Sequence, residues 1–275
     1  GVADYSARTA TIQLGSAIRT SFYVHLIGLF IPILVLIFEI NSGSYNDMGM
    51  DFVFLFTGGS LVGIIFTLNY VLYYKALSTG SVSIVTAVAA AFPVVAVIFS
   101  AAFLNERFSF FQFGLVIIIT LGISLTSFKD TSISGSSSGL RYALVCMLIT
   151  GLAVCILKPL VEEYGPILAI VVPMFVSSLL TGIWAIRIGV PLKLSYELGL
   201  KNVFIAGILD SLGFLCMAIG FVLAPVFIVS PISAGSPIVT IVLARALLAE
   251  KVAGIQAIGI TITISGVIVL ASITQ

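Results

Sequence analysis

AVAAAFPVVAVIFSAAFLNERFSFFQFGLVIIITLGISL, residues 87–125, and PISAGSPIVTIVLARALLAEKVAGIQAIGITITISGVIV, residues 231–269, carry one pattern twice, 144 residues apart. Without a gap, Pro93 falls on Pro237, Glu106 on Glu250, Arg107 on Lys251, Gln112 on Gln256 and Gly122 on Gly266. A second alignment, offset by 150, places Gly1 on Gly151, Ala3 on Ala153, Arg8 on Lys158 and Gly15 on Gly165. The chain is therefore a tandem duplication.

The surroundings of that duplication are apolar. Of 275 residues, 60% are hydrophobic and 8% charged, against about 25% charged in a typical soluble domain. So few charges could not cover a soluble surface, so the solvent for most of the chain is lipid. A span needs roughly 20 apolar residues, and the long runs without alternation indicate helices rather than a barrel. An all-α membrane protein follows, with ten spans at 1–17, 20–40, 52–76, 81–104, 109–128, 140–160, 165–187, 201–223, 225–248 and 253–273. The first repeat, 1–128, holds five helices, and the second, 140–275, holds five more. The polar stretch KDTSISGSSSG, 129–139, joins them. An odd number of helices per repeat brings the second repeat in from the opposite side, so the two are inverted. Duplicated apolar chains of this kind are the usual build of membrane transporters. The sixth span begins about eleven residues before Gly151, so a matching stretch is expected ahead of Gly1, whose helix is cut short.

Near-neutral net charge gives no reason to expect a nucleic-acid partner. Cys146, Cys155 and Cys216 fall in predicted helices without metal-ligand spacing, as small core residues. No metal or cofactor is expected. An intramembrane enzyme would need a nucleophile–base pair or a metal cluster, and one histidine with scattered cysteines supplies neither. No glycine–lysine phosphate loop is present, which argues against ATP as the driving force. Basic residues concentrate in loops after odd-numbered helices, a distribution that would put the termini outside.

The repeat resembles the EamA family of the drug/metabolite transporter superfamily. Gly1 to Arg8 and Gly151 to Lys158, Arg19 near the start of the second helix, and Asn105-Glu106-Arg107 with Gln112 and Gly122, repeated as Glu250-Lys251, Gln256 and Gly266, carry the resemblance. It covers essentially the whole chain. It implies a ten-helix, multi-pass secondary transporter of the plasma membrane, with a central cavity that alternates between the two sides. It also implies cytoplasmic termini, opposite to the charge distribution.

Ionisable residues inside a span are functional candidates by default. Asp4 and Arg8 lie one helical turn apart, with Thr11 and Gly15 continuing their stripe. They form either a proton or substrate site or an internal ion pair. Asp210 lies mid-span among Ala206, Gly207 and Gly213 and falls on Phe66 of the other repeat, so the duplication does not require it. Asn69 and Tyr70 could hydrogen-bond or stack on a solute, whereas Tyr73 and Tyr74, beside Lys75, fit an interfacial belt. Lys158 has Leu160 where a polar partner would help, and either snorkels or gates. His25 is assigned to packing, and Glu106-Arg107 and Glu250-Lys251 to helix ends. Pro93 and Pro237, at repeat-related positions, are hinge candidates. Asp4, Arg8, Asn69, Tyr70, Lys158 and Asp210 form the expected substrate- or proton-binding set.

The expected activity is secondary-active transport of a small organic solute (an amino acid, metabolite or drug-like compound). Outward movement by alternating access is expected, with protons as candidate coupling ions, as a monomer or homodimer in the bilayer. An uncoupled facilitator or exchanger is the alternative. A receptor or lipid-binding role fits the hydropathy but gives no reason for inverted repeats.

Overall fold

The computed structural model describes residues 2–43, 51–127, 137–192, 199–239 and 253–273. Among the described residues every regular element is a helix: α1 Val2–Leu14, α2 Ala17–Gly28, α3 Phe30–Asn41, α4 Phe52–Thr79, α5 Val82–Ala89, α6 Phe92–Phe103, α7 Phe110–Thr126, α8 Ser137–Arg187, α9 Leu200–Leu223, α10 Val226–Ser233 and α11 Gly254–Ser272. Within these residues, six stretches are long and apolar enough to cross a membrane: Ala17–Asn41, Phe52–Thr79, Ile84–Phe103, Gly139–Arg187, Leu200–Leu223 and Gly254–Ser272. Phe110–Thr126 and Val226–Val239 are shorter apolar helices. Large apolar side chains point outward, Phe110 with 97% exposure and Leu223 with 79%, as a chain solvated by lipid allows. Most of the linker expected at 129–139 lies outside the described residues, and α8 begins at Ser137.

Several expected spans are interrupted, with a physical cause in each case. The stretches expected at 140–160 and 165–187 form one helical run broken at Gly165, whose φ of 78° is left-handed. Gly15, its equivalent, closes α1 at φ 67°. A residue without Cβ suits both joints. The span expected at 81–104 stops at Ala90–Ala91, and that expected from 225 stops at Ala234–Gly235. These two breaks match bond for bond. The N–H of Ala90 donates to the Thr86 carbonyl at 2.9 Å and that of Ala91 to Val88 at 3.1 Å; Ala234 donates to Ser230 at 3.0 Å and Gly235 to Ile232 at 3.1 Å. Pro93 and Pro237 follow two residues after each break, at the start of the resumed helix. There the missing proline N–H would have had no helical acceptor anyway.

The chain divides into two compact units, neither of them a single repeat. One holds Lys75–Cys155 and Ala224–Gln275, and the other Val2–Tyr74 and Ile156–Leu223. In the first unit α7 packs on α11, α10 on α6, and α5 on α7. A Cβ added to Gly122 would sit 2.6 Å from Thr263 Oγ1, and one on Gly266 would sit 2.6 Å from Ile119 Cγ1. Thr263 and Ile119 are themselves repeat equivalents, so the two contacts exchange under the duplication. As numbering rises along α7 it falls along α11, so the pair is antiparallel. Backbone approach is close enough to test. A Cβ on Gly259 would meet the Gly122 carbonyl at 2.6 Å and the Thr126 nitrogen at 2.8 Å, whereas Gly114 has nothing within 4 Å. Gly259→Ala is expected to destabilise the protein by about 1–3 kcal/mol. Thermal unfolding in detergent should show a lower midpoint for it and an unchanged or higher one for Gly114→Ala.

The second unit makes one joint twice. A Cβ on Gly63 of α4 would sit 2.8 Å from the Pro173 carbonyl and 2.7 Å from Val176 Cβ of α8. On Gly207 of α9 it would sit 2.8 Å from the Val24 carbonyl and 3.1 Å from Ile27 Cβ of α2. Gly63 and Gly207 are equivalents at offset 144, and Val24 and Ile27 match Pro173 and Val176 at offset 149. Small residues let these helices approach until backbone touches side chain. That closeness brings the polar side chains of α1, α2, α4, α8 and α9 together.

Candidate functional site

Within the second unit α4 and α9 cross. Phe66 and Tyr70 lie one turn apart on α4, and their equivalents Asp210 and Phe214 lie one turn apart on α9. The Tyr70 hydroxyl donates to Asp210 Oδ2 at 2.5 Å. The Phe66 and Phe214 rings are 5.0 Å apart, and Tyr70 and Phe214 6.2 Å. The crossing is thus pseudo-symmetric, with a carboxylate on one side where the other has a phenyl ring. Tyr70 is buried and Asp210 half-buried. From α1, Asp4 joins them. Its Oδ1 accepts from the Tyr73 hydroxyl at 2.9 Å, and its charge acts on Asp210. Tyr74 meets Tyr70 edge-on at 5.6 Å and is 3% exposed. Tyr73 and Tyr74 therefore join this cluster.

A second line of polar groups meets the first at Tyr70. His25, fully buried, lies in the last turn of α2. Its Nδ1–H donates to the Ser21 carbonyl at 2.8 Å. Its ring stands edge-on to Tyr70 at 4.4 Å. Ser177 Oγ of α8 lies 3.5 Å from the imidazole nitrogens and accepts from Thr67 Oγ1 at 3.1 Å. The sequence offered one sign of this: a lone histidine in a lipid-solvated helix must find buried polar partners. Phe66 and Phe214 stand outside the expected set, although the repeat alignment places Phe66 opposite Asp210. Among the described residues no three metal-ligating side chains converge.

The remaining candidates lie elsewhere. Arg8 and Asn69 are half-buried on α1 and α4. Thr11 donates its hydroxyl proton back to the Ala7 carbonyl at 2.8 Å. Lys158 is buried and pairs with Glu162 at 3.3 Å. Its polar partner is thus one turn along α8, while Leu160 fills the space beside Gly58. Cys146 and Cys155 are buried, but Cys216 is exposed.

The duplicated helix-end residues have specific partners. Gln112 Oε1 accepts from the Ser109 N–H at 2.7 Å, and Gln256 Oε1 from the Ala253 N–H at 3.1 Å. Both glutamines cap the helix they open. Glu106 caps a helix of the other repeat: its two carboxylate oxygens lie 2.9 and 3.1 Å from the Val226 nitrogen. There Pro225 offers α10 no side-chain cap. Asn105, at φ 55°, makes the turn that places Glu106. Glu250 and Lys251 lie outside the described residues. Glu106→Ala is expected to destabilise by about 0.5–2 kcal/mol, the usual range for a lost N-terminal cap, measurable as a lower thermal midpoint.

Comparison with known proteins gives a family match and a structural one. A model of the EamA-like transporter family matches residues 7–128 and again 137–272. No curated relative matches the chain. Among solved structures, one described only as "Crystal structure of protein" is 17% identical, with an alignment covering 98% of this chain and 95% of that one and a TM-score of 0.72. That likeness shows the fold alone.

Proposed function

The chain belongs to the EamA-like transporter family, a multi-pass integral membrane transporter by that membership, and from this premise we propose a proton-coupled exporter of a small organic solute. It works at the plasma membrane by alternating access between two inverted five-helix repeats, ten spans in all. The antiparallel, self-exchanging contact of α7 with α11 supports the inversion, because an axis in the membrane plane reverses equivalent helices.

One observation carries the coupling and the site. Asp210, a carboxylate within a span, is hydrogen-bonded to Tyr70 at the crossing of two repeat-equivalent helices. Transporters of inverted-repeat build bind solute and coupling ion where their repeats meet, and an ionisable group is retained in lipid only for a use. Asp4 and Tyr73 extend the same cluster. Pro93 and Pro237 are the proposed hinges.

The test uses protein reconstituted in liposomes with a trapped pH-sensitive dye and an imposed pH gradient. Addition of a transported solute is expected to speed collapse of the gradient in proteoliposomes and not in empty liposomes. Labelled-solute flux that follows only the solute's own gradient, indifferent to pH, would replace coupling with facilitated diffusion or exchange.

A further inference from the structure

We infer that the solute held at the α4–α9 crossing is an organic cation, an ammonium group carried on an apolar body. The inference deepens the transporter reading and rests on it for the role of the site. Binding can be measured without flux.

Pseudo-symmetry shows the shape of the site. Gly28 and Met174 approach one another, a Cβ on Gly28 falling 2.9 Å from Met174 Cε. Their equivalents at offset 149, Ser177 and His25, meet at 3.5 Å. Phe66 and Phe214 meet beside Tyr70 and Asp210 in the same way. In each pair of equivalents one member is polar and the other is not: His25 against Met174, Ser177 against Gly28, Asp210 against Phe66, Tyr70 against Phe214. Duplication alone would make the two sides alike. Their divergence sets polar groups and phenyl rings side by side, with Tyr70 touching Asp210 and both Phe66 and Phe214, which fits a ligand with a polar head and an apolar body.

The sign of the head follows from charge. Among the described residues the hydrogen-bond partner of Asp210 is the neutral Tyr70 hydroxyl, and the side chain whose charge acts on it is Asp4, of the same sign. Asp4 and Arg8, one turn apart on α1, both engage in further interactions. Two carboxylates and one guanidinium leave the cluster negative. An anionic head would meet repulsion there, and a neutral one would offer no counter-charge to Asp210 once its proton has left. A cation compensates it. The rings of Phe66, Tyr70, Tyr74 and Phe214 reinforce the preference, since aromatic faces attract ammonium groups.

The experiment compares three ligands of one shape. Equilibrium dialysis against wild-type protein in lipid nanodiscs would use labelled 2-phenylethylammonium, neutral 2-phenylethanol and phenylacetate. The cation is expected to bind at least about tenfold more tightly than the other two, and Asp210→Asn to remove that margin. Equal retention of all three, or tighter binding of phenylacetate, overturns the inference from wild-type protein alone, whether or not the variant folds. A margin that survives in folded Asp210→Asn overturns the assignment to Asp210. Flux of the same ligands in proteoliposomes separates the two readings. Cation binding without flux of any ligand counts against the transporter reading and for the cation site. Flux of phenylacetate or 2-phenylethanol without a cation preference does the reverse.

Discussion

Asp210→Asn is expected to abolish flux driven by a pH gradient, a loss of at least about tenfold and so of roughly 1.4 kcal/mol or more in coupling, while the protein stays folded. The substitution is isosteric. The amide oxygen of the replacement side chain can still accept the Tyr70 hydroxyl, so the α4–α9 crossing keeps its hydrogen bond. What disappears is the ability to bind and release a proton, or to balance a positive charge. A purely structural carboxylate would tolerate this change, because removing an uncompensated charge from a span is favourable or neutral. The readout is the initial rate of solute-driven pH-gradient collapse in proteoliposomes, beside a thermal midpoint that shows the variant intact. Asp4→Asn tests the second carboxylate in the same way, with Tyr73 as the partner left in place. Wild-type pH dependence in both variants would remove these carboxylates from coupling.

The duplication made the helical class and the repeat pairing legible, because lipid as solvent forces helices and leaves long apolar runs. Pro93 with Pro237, Gly15 with Gly165 and Gln112 with Gln256 could each be paired by eye, and each pair plays the same local role in the structure. The breaks were less legible. A span of apolar residues reads as continuous, and nothing in Ala90–Ala91 or Ala234–Gly235 marks a stop except the proline two residues later. The partnership of Tyr70 with Asp210 was out of reach, since it joins residues 140 apart on two helices that each make their close glycine contact with a different helix, Gly63 of α4 with α8 and Gly207 of α9 with α2. His25 packs as expected, but its neighbours Ser177 and Tyr70 come from other helices and could not be read from the sequence. Glu106 was recognised as a helix-end residue, but the helix it caps begins at Val226 in the other repeat. The sequence named the polar residues, and only the crossings decide which of them meet.

Replacing both Pro93 and Pro237 with alanine is expected to slow transport at least about tenfold and to leave thermal stability unchanged or raised. Each proline lacks the N–H that would bond the carbonyl four residues earlier, Ala89 in one repeat and Ser233 in the other. In an unbroken helix its ring would also crowd that carbonyl. Alanine at both positions restores the donors and removes the crowding, so α5 can run into α6 and the second break can close in the same way. An unbroken helix satisfies more backbone groups in lipid, so folding does not suffer. A continuous helix bends less readily than a broken one, so a step that needs these spans to change shape between two states would slow. Single variants should show a smaller loss, because each leaves one of the two matched breaks in place. Unchanged initial flux in the double variant, with the same thermal midpoint, would mean that the matched breaks serve packing and not motion. Slower flux with a lowered midpoint would point to misfolding instead, so both quantities must be measured on one preparation. The duplication supplies a control that a single proline could not. If the breaks act as a pair, Pro93→Ala and Pro237→Ala should combine non-additively in flux, although nothing in their local hydrogen bonds links them.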